Sequence, residues 1–191
     1  MRAVERLASR ATLPVRYSQG FNPRPVFSLP CPRSVGVATI NDVLVVSMEE
    51  ELDAASLLER LNAQTPTGMR FLSATVLPTG AKPIIRRAVY ELPVPADKLP
   101  AVAEAIERLK TTPEWTVQRQ TAEARRGEAP PMRTLDIRPL VENLAVVQDR
   151  LKITLSPQGD LWARPGEVLR CVGLDEITDM CHITRTEVQY D

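Results

Sequence analysis

The spacing of apolar residues in the first part of the chain predicts a succession of short helices and strands. Val4, Leu7 and Ala11 recur at intervals of three and four, which is typical of one face of a helix. A second helix is predicted for LDAASLLERLNAQ, with Asp53 as its N-cap. Strands are predicted for DVLVVSME and GMRFLSATVL, and PVFSLPCP suits a short extended segment at an edge. The predicted order is therefore helix, strand, strand, helix and strand.

In the second part of the chain the apolar pattern predicts strand, helix, strand, strand, helix and strand. The strands are IIRRAVYELPV, EWTVQRQ, RLKITLSP and ITRTEVQY, and the helices are ADKLPAVAEAIERLK and RPGEVLRCVGL. TLDIRPLVENLAVV begins like a strand, although its spacing also suits a helix. This order is that of the split βαβ, or ferredoxin-like, unit. We predict an α+β protein of two ferredoxin-like halves, residues 1–80 and 81–191, with the first lacking its opening strand.

The absence of that opening strand has a structural consequence. In such a unit the strand lies inside the sheet, so its absence leaves a slot and uncovers one face of the first helix. The first helix also follows Met1 directly, with no Ser, Thr, Asp or Asn ahead of it to cap its free amides. We therefore predict that the natural protein starts further upstream or that another chain supplies the strand.

Composition narrows the class of protein. The 191 residues carry a formal net charge of zero, so a nucleic-acid partner would have to be bound by a local patch. No apolar run approaches the ~18–20 residues of a membrane helix, and the N-terminus lacks the pattern of a secretory signal. The three cysteines have no framework spacing, which agrees with a reducing compartment. We expect a cytoplasmic protein with no membrane partner.

The segment YSQGFNPRP, residues 17–25, has more kinds of chemistry than a connecting loop needs. No acidic residue occurs from Arg6 to Asn41. Gly20 permits backbone angles closed to other residues, and Pro23 and Pro25 stiffen the far side of the loop. Aromatic rings beside guanidinium groups can stack on a base and neutralise a phosphate, and amide side chains can read a base edge. The predicted binding residues are Arg16, Tyr17, Gln19, Phe21, Asn22, Arg24 and Arg33.

Two other interpretations of this segment are open on the residues alone. It can be a proline-braced connection whose Phe21 and Phe27 fill the core beneath it. Its ligand can also be a phosphate-bearing small molecule or an acidic protein instead of RNA.

Asp136 is the carboxylate with the clearest candidate chemistry. Because Arg133 and Arg138 flank it, it can be held ionised as a nucleophile or base in RNA modification, in the manner of pseudouridine formation. The interpretation we favour is a structural Asp at a strand end, paired with an arginine. Arg125 and Arg126 extend the basic run around it, and a solvated surface is the simpler account of that run.

The chain offers no pattern for a metal, a cluster or covalent catalysis. Cys31, Cys171 and Cys181 match neither zinc-knuckle nor iron–sulfur spacing. His182 is the only histidine, and no nucleophile elbow, Walker loop or dinucleotide fingerprint occurs. We expect no metal and no cofactor. Glu167, at the start of a predicted helix, is expected to cap that helix.

YSQGFNPRP, together with LDIRPLV, ARPGEVLRCVGLD and ITRTEV, resembles the radical-SAM-linked protein family. This is a bacterial domain of unknown function found beside, or fused C-terminally to, radical SAM proteins of the cobalamin-binding-like type. The matching motifs extend from Tyr17 to Val188. Members begin with a strand and a FLSHLDL-like segment before the residues that match MRAVERL, and this chain lacks that element. The resemblance implies a radical SAM protein as partner, which would hold the cluster, and it assigns no catalytic residue.

These observations favour a non-catalytic accessory or substrate-presenting module of a radical SAM enzyme system. The loop at residues 17–25 would bind RNA or another nucleotide-bearing ligand. An RNA-modifying enzyme that uses Asp136 is the first alternative. The second is a structural interaction module whose open sheet slot accepts a strand from a partner. The sequence leaves the oligomeric state open.

Overall fold

The computed structural model describes residues 2–78, 80–120, 131–175 and 178–191, and for residues 2 and 3 it describes the backbone only. The helices in these ranges are α1 (Arg2–Arg10), α2 (Ala54–Asn62), α3 (Leu99–Thr111) and α4 (Pro165–Cys171). The strands are β1 (Phe27–Ser28), β2 (Ala38–Thr39), β3 (Val45–Val46), β4 (Ile85–Pro93), β5 (Thr116–Gln120), β6 (Met132–Asp136), β7 (Val141–Val147), β8 (Arg150–Leu155) and β9 (Thr184–Tyr190). Short 3-10 turns occupy Arg138–Leu140 and Asp179–His182. The predicted α+β class is confirmed.

The chain divides into two compact units. The first combines Met1–Pro30 with Val43–Pro83, and the second combines Cys31–Asp42 with Ile84–Asp191. The sequence pattern did not predict that residues 31–42 join the second unit. None of the helices in the described ranges has both the length and the apolar character needed to cross a bilayer.

The first unit is organised around α1 and α2. α1 buries Leu7 and Ala8, as its apolar spacing predicted. The side chain of Arg60, on α2, donates to the carbonyl of Ala11 from Nε at 3.2 Å and from Nη2 at 2.9 Å, and it also donates to the carbonyl of Thr12. Carbonyl groups at a helix C-terminus lack partners within the helix, so this guanidinium caps α1 and ties it to α2.

The second unit is built on a five-stranded sheet in the order β2-β9-β4-β8-β7. β2 and β9 are parallel, and the other neighbouring strands are antiparallel. β5 and β6 form a separate antiparallel pair. Leu151, Ile153 and Leu155 of β8 are fully buried, in one hydrophobic cluster with residues of α3 and α4. The finer prediction of two ferredoxin-like halves is not confirmed.

Two predicted segments differ from the structure for local reasons. The ambiguous TLDIRPLVENLAVV forms a strand, a 3-10 turn that contains Pro139, and a second strand, because proline cannot continue a β ladder. The strand predicted over GMRFLSATVL does not form. Asn62 instead bonds both backbone groups of Phe71, donating from Nδ2 to its carbonyl at 3.0 Å and accepting its amide at Oδ1 at 2.9 Å. A side-chain amide thus replaces a neighbouring strand at that position.

Both predicted helix caps are confirmed. Asp53 Oδ1 accepts from the amides of Ala55 and Ser56, each at 3.0 Å, and the hydrogen bonds from Ser56 hold the pKa of Asp53 below its ordinary value. Glu167 accepts from the amide of Arg164 at 2.8 Å. The same buried carboxylate also accepts from Nε and Nη2 of Arg119 at 2.9 and 2.7 Å. This ion pair joins β5 to α4 and was not predictable from the local sequence.

Arg185 anchors the inserted segment, residues 31–42, to the sheet of the second unit. Its side chain is only 1% exposed. Nη1 donates to the carbonyl and to Sγ of Cys31 at 2.8 and 2.9 Å, and Nη2 pairs with Asp42. Burial raises the pKa of the Cys31 thiol and of the Tyr90 phenol, so both groups are held neutral around the guanidinium. A buried cation therefore connects β9 with both ends of the inserted segment.

We expect Arg185→Ala to lower the free energy of unfolding by about 2–4 kcal/mol, because it removes the hydrogen bonds from the buried guanidinium to Cys31 and Asp42 and opens a cavity. Chemical denaturation followed by circular dichroism measures the change. Arg108→Ala is the matched control, since Arg108 lies on the exposed face of α3, and its effect is expected within about 0.5 kcal/mol. Equal stabilities of the two variants would contradict the anchoring role.

Candidate binding hairpin

Residues 16–26 form a hairpin, called the recognition hairpin below, whose stem is closed by three backbone hydrogen bonds. The amide of Arg16 donates to the carbonyl of Ser47 at 2.8 Å, and the amide of Ser47 donates to the carbonyl of Val26 at 3.1 Å. The amide of Val26 completes the ring by donating to the carbonyl of Arg16 at 2.8 Å. Three segments of chain thus hold one another at the base of the hairpin.

A second closure lies nearer the tip. The amide of Ser18 donates to the carbonyl of Arg24 at 2.8 Å, and the amide of Arg24 donates to Ser18 Oγ at 3.0 Å. Tyr17 and Pro25 face each other as an antiparallel bridge. Gly20 turns the chain with φ of 137°, in a region that L side chains rarely adopt. The tip is therefore a short loop held between paired positions.

The predicted binding residues of the hairpin have exposed side chains. Phe21 is completely exposed and Tyr17 is 45% exposed. The interpretation in which Phe21 fills the core is wrong, although Phe27, in β1, is partly buried. Within the described part of the chain, the guanidinium of Arg24 has no hydrogen-bond or ion-pair partner. A ring and a cation are thus both available to a ligand on one fixed loop.

A pocket of about 480 Å³ lies beside the recognition hairpin. Tyr17 and Pro25 line it from the hairpin, and the polar face of α1 lines it from the other side. The residues from α1 are Glu5, Arg6, Ser9 and Arg10. The sequence reasoning missed these four residues. Their spacing could have indicated them, because residues four apart lie side by side on a helix. Glu5 is next to Ser9 and Arg6 is next to Arg10, on a different face from the buried residues of α1.

The structure brings six of the seven predicted binding residues together. Arg16, Tyr17, Gln19, Phe21, Asn22 and Arg24 all belong to the recognition hairpin. Arg33 lies in the second unit, where its Nε pairs with Asp42 at 3.1 Å and its Nη1 donates to the carbonyl of Val37 at 3.0 Å. Those contacts give Arg33 a role in holding the inserted segment.

Asp136 lies at the last position of β6 and organises the backbone around it. Its Oδ1 accepts from the amides of Trp115 and Arg138 at 2.8 and 2.9 Å. These contacts favour a structural role, made through amides instead of the predicted arginine side chain. Arg125 and Arg126 of the basic run lie outside the described residues. In the ranges that are described, no group of three or more His, Cys, Asp or Glu side chains is placed to ligate a metal ion.

Residues 1–165 match a family described as an uncharacterized protein conserved in bacteria (DUF2344). The match covers most of the chain, so the chain belongs to this bacterial family. It includes α1, the recognition hairpin and the pocket beside it. No curated protein matches the chain.

Hydrogen exchange will test the two closures of the hairpin. We expect slow exchange for the bonded amides of Arg16, Ser18 and Val26, and fast exchange for those of Phe21 and Asn22 at the tip. Ser18→Ala removes the acceptor of the Arg24 amide, so exchange of that amide should accelerate while that of Val26 stays slow.

Ser73→Ala is the control for this experiment, since Ser73 is an exposed serine of the same unit. NMR or mass spectrometry gives the rates. Uniformly fast exchange from residue 16 to residue 26 in the unmodified protein would show that the stem is not held.

Proposed function

We propose that this protein is a non-catalytic accessory module, acting in the cytoplasm, that presents RNA or another nucleotide-bearing ligand on the recognition hairpin. The observation that carries the proposal is the complete exposure of Phe21 on a loop closed at two levels. Burying a phenylalanine side chain stabilises a fold by about 1.5–3 kcal/mol, and this protein forgoes that contribution. An exposed ring on a preorganised loop is suited to a contact outside the fold.

The remaining chemistry of the hairpin agrees with a nucleotide ligand. A base has an apolar face for Phe21, and a phosphate has a charge for Arg24. Gln19 and Asn22, both exposed, supply amide donors and acceptors for a base edge. Five arginines and no acidic residue occur between Arg6 and Asn41, so this part of a neutral chain is locally basic.

We also propose that the module works with a radical SAM protein. The support is the resemblance of YSQGFNPRP and the later motifs to the radical-SAM-linked family. The three cysteines of this chain lack the spacing of a radical SAM cluster, so the partner would carry the cluster and the radical chemistry.

For the second unit we propose a ferredoxin-like arrangement made of β4, α3, β7, β8, α4 and β9. These elements follow one another as strand, helix, strand, strand, helix and strand. β4 lies between β8 and β9 and is antiparallel to both, and β7 pairs with the far side of β8. In this interpretation the β5–β6 pair is an insertion between α3 and β7.

Fluorescence anisotropy with a labelled single-stranded RNA of mixed sequence tests ligand binding. We expect Phe21→Ala to weaken binding roughly 5- to 100-fold, because one stacking contact contributes about 1–3 kcal/mol. Arg24→Ala should reduce the salt dependence, lowering the slope of log K against log salt by about 0.7 for one phosphate.

The matched controls for this assay are Leu72→Ala and Arg108→Ala, which remove an exposed apolar side chain and an exposed arginine elsewhere. Both should bind RNA as the unmodified protein does. RNA binding that is equal in all four variants would remove the hairpin's proposed role.

Partner binding is measured separately, by size-exclusion chromatography with light scattering on a mixture with a radical SAM protein of the cobalamin-binding-like type, the class of partner that the resemblance implies. We expect a stable complex, and we expect it to persist in Phe21→Ala and Arg24→Ala because the hairpin serves the ligand. No complex between the two purified unmodified proteins would contradict the accessory role.

A further inference from the structure

We infer that the pocket between α1 and the recognition hairpin is a mononucleotide subsite, in which Arg6 and Arg10 hold the phosphate and Tyr17 lies against the base. The inference rests on the proposed function and extends it, since it assigns a phosphate site to residues of α1 outside the hairpin motif. The pocket is shallow and open to solvent, so its volume of about 480 Å³ gives a nucleotide room to lie on the surface, and the inference depends on the side chains that line it.

The two arginines are placed as a phosphate-binding pair. Arg6 and Arg10 are separated by four residues in α1, so they project from the same side of the helix, and both line the pocket. Like charges at this spacing repel each other weakly, and an anion bound between them would relieve that repulsion. Among the described residues Arg6 has no hydrogen-bond or ion-pair partner, whereas Nη2 of Arg10 donates to the carbonyl of Gln64 at 2.8 Å. Of the two arginines, Arg6 is therefore the one whose guanidinium makes no contact that stabilises the described part of the fold.

The opposite wall of the pocket suits a nucleobase. Tyr17 presents a half-exposed ring, and Pro25, its bridge partner, holds the backbone beside it. Stacking on an aromatic ring tolerates any base, because each base has a π face. An acidic peptide would also satisfy the arginines, and what favours a nucleotide is the aromatic ring of Tyr17, which offers a base a flat surface to stack on.

Glu5 sets the direction in which a nucleotide enters. A carboxylate repels phosphate and accepts hydrogen bonds from hydroxyl or amino groups. The phosphate therefore lies toward Arg6 and Arg10, and the sugar hydroxyls or the base amino group lie toward Glu5. Ser9 adds a hydroxyl to the same wall, although its Oγ also donates to the carbonyl of Glu5 at 3.1 Å.

Isothermal titration of the full chain with AMP and with adenosine tests the subsite. AMP is a suitable probe because the proposed stacking does not depend on the base. We expect AMP to bind at least about tenfold more tightly than adenosine, since a hydrogen bond to a charged group is worth about one factor of ten or more. Arg6→Ala should bring the ratio of the two affinities close to one, and Tyr17→Leu should weaken both ligands alike.

Arg108→Ala is again the matched control, and its ratio of AMP affinity to adenosine affinity should equal that of the unmodified protein. Alanine favours a helix, so Arg6→Ala should leave α1 formed, and an unchanged circular dichroism spectrum would show that the fold as a whole is kept. An unchanged ratio in Arg6→Ala, or no saturable binding of AMP, would overturn the subsite.

The two proposals fail in different ways. RNA binding that depends on Phe21 and Arg24 but is unaffected by Arg6→Ala would leave the proposed function standing and overturn the subsite. Binding of AMP that is lost in Arg6→Ala, without any binding of RNA, would support the subsite and overturn RNA as the ligand.

Discussion

The recognition hairpin depends on a ring of three backbone hydrogen bonds that joins Arg16, Val26 and Ser47. Each residue donates to one neighbour and accepts from the other, so separating any one segment breaks two bonds. Because these bonds use only backbone groups, the side chains at the tip are left for other contacts. A loop held in this way would lose little conformational entropy on binding a ligand, which is what the proposed binding role of its exposed aromatic ring requires.

The protein uses arginine in two opposite ways. Arg119 and Arg185 are largely buried and paired with carboxylates, so they hold β5 on α4 and the inserted segment on β9. Removing Arg119 would leave the buried Glu167 carboxylate unpaired, and removing Arg185 would leave a cavity in the second unit, so both arginines contribute to the stability of the fold. Arg6 and Arg24 are exposed, and within the described part of the chain their guanidinium groups form no hydrogen bond or ion pair. Although the net charge is zero, the chain therefore has some arginines that are paired within the fold and others that are available to bind an anion.

Family membership and geometry support different parts of the interpretation. The match over residues 1–165 places the chain in a conserved bacterial family and covers the hairpin and the pocket. The chemistry at the site comes from the residues: an aromatic ring, exposed amides and guanidinium groups on a closed loop, beside a pocket with a basic helical wall. Asp136 is less suited to catalysis, because two backbone amides already bond one of its oxygens.

The sequence by itself determined the elements with strong local signals: the helices with periodic apolar faces, the Asp53 and Glu167 caps, and strands β4, β8 and β9. It also predicted a stiff loop at residues 17–25, because prolines, a glycine and mixed side-chain chemistry are local properties. Only the tertiary structure decided three contacts. The side chain of Asn62 hydrogen-bonds the backbone of Phe71, Arg185 binds residues 31–42, and α1 lines the pocket. Each of these contacts joins residues that are distant in sequence or placed by packing, and local periodicity carries no information about such pairings.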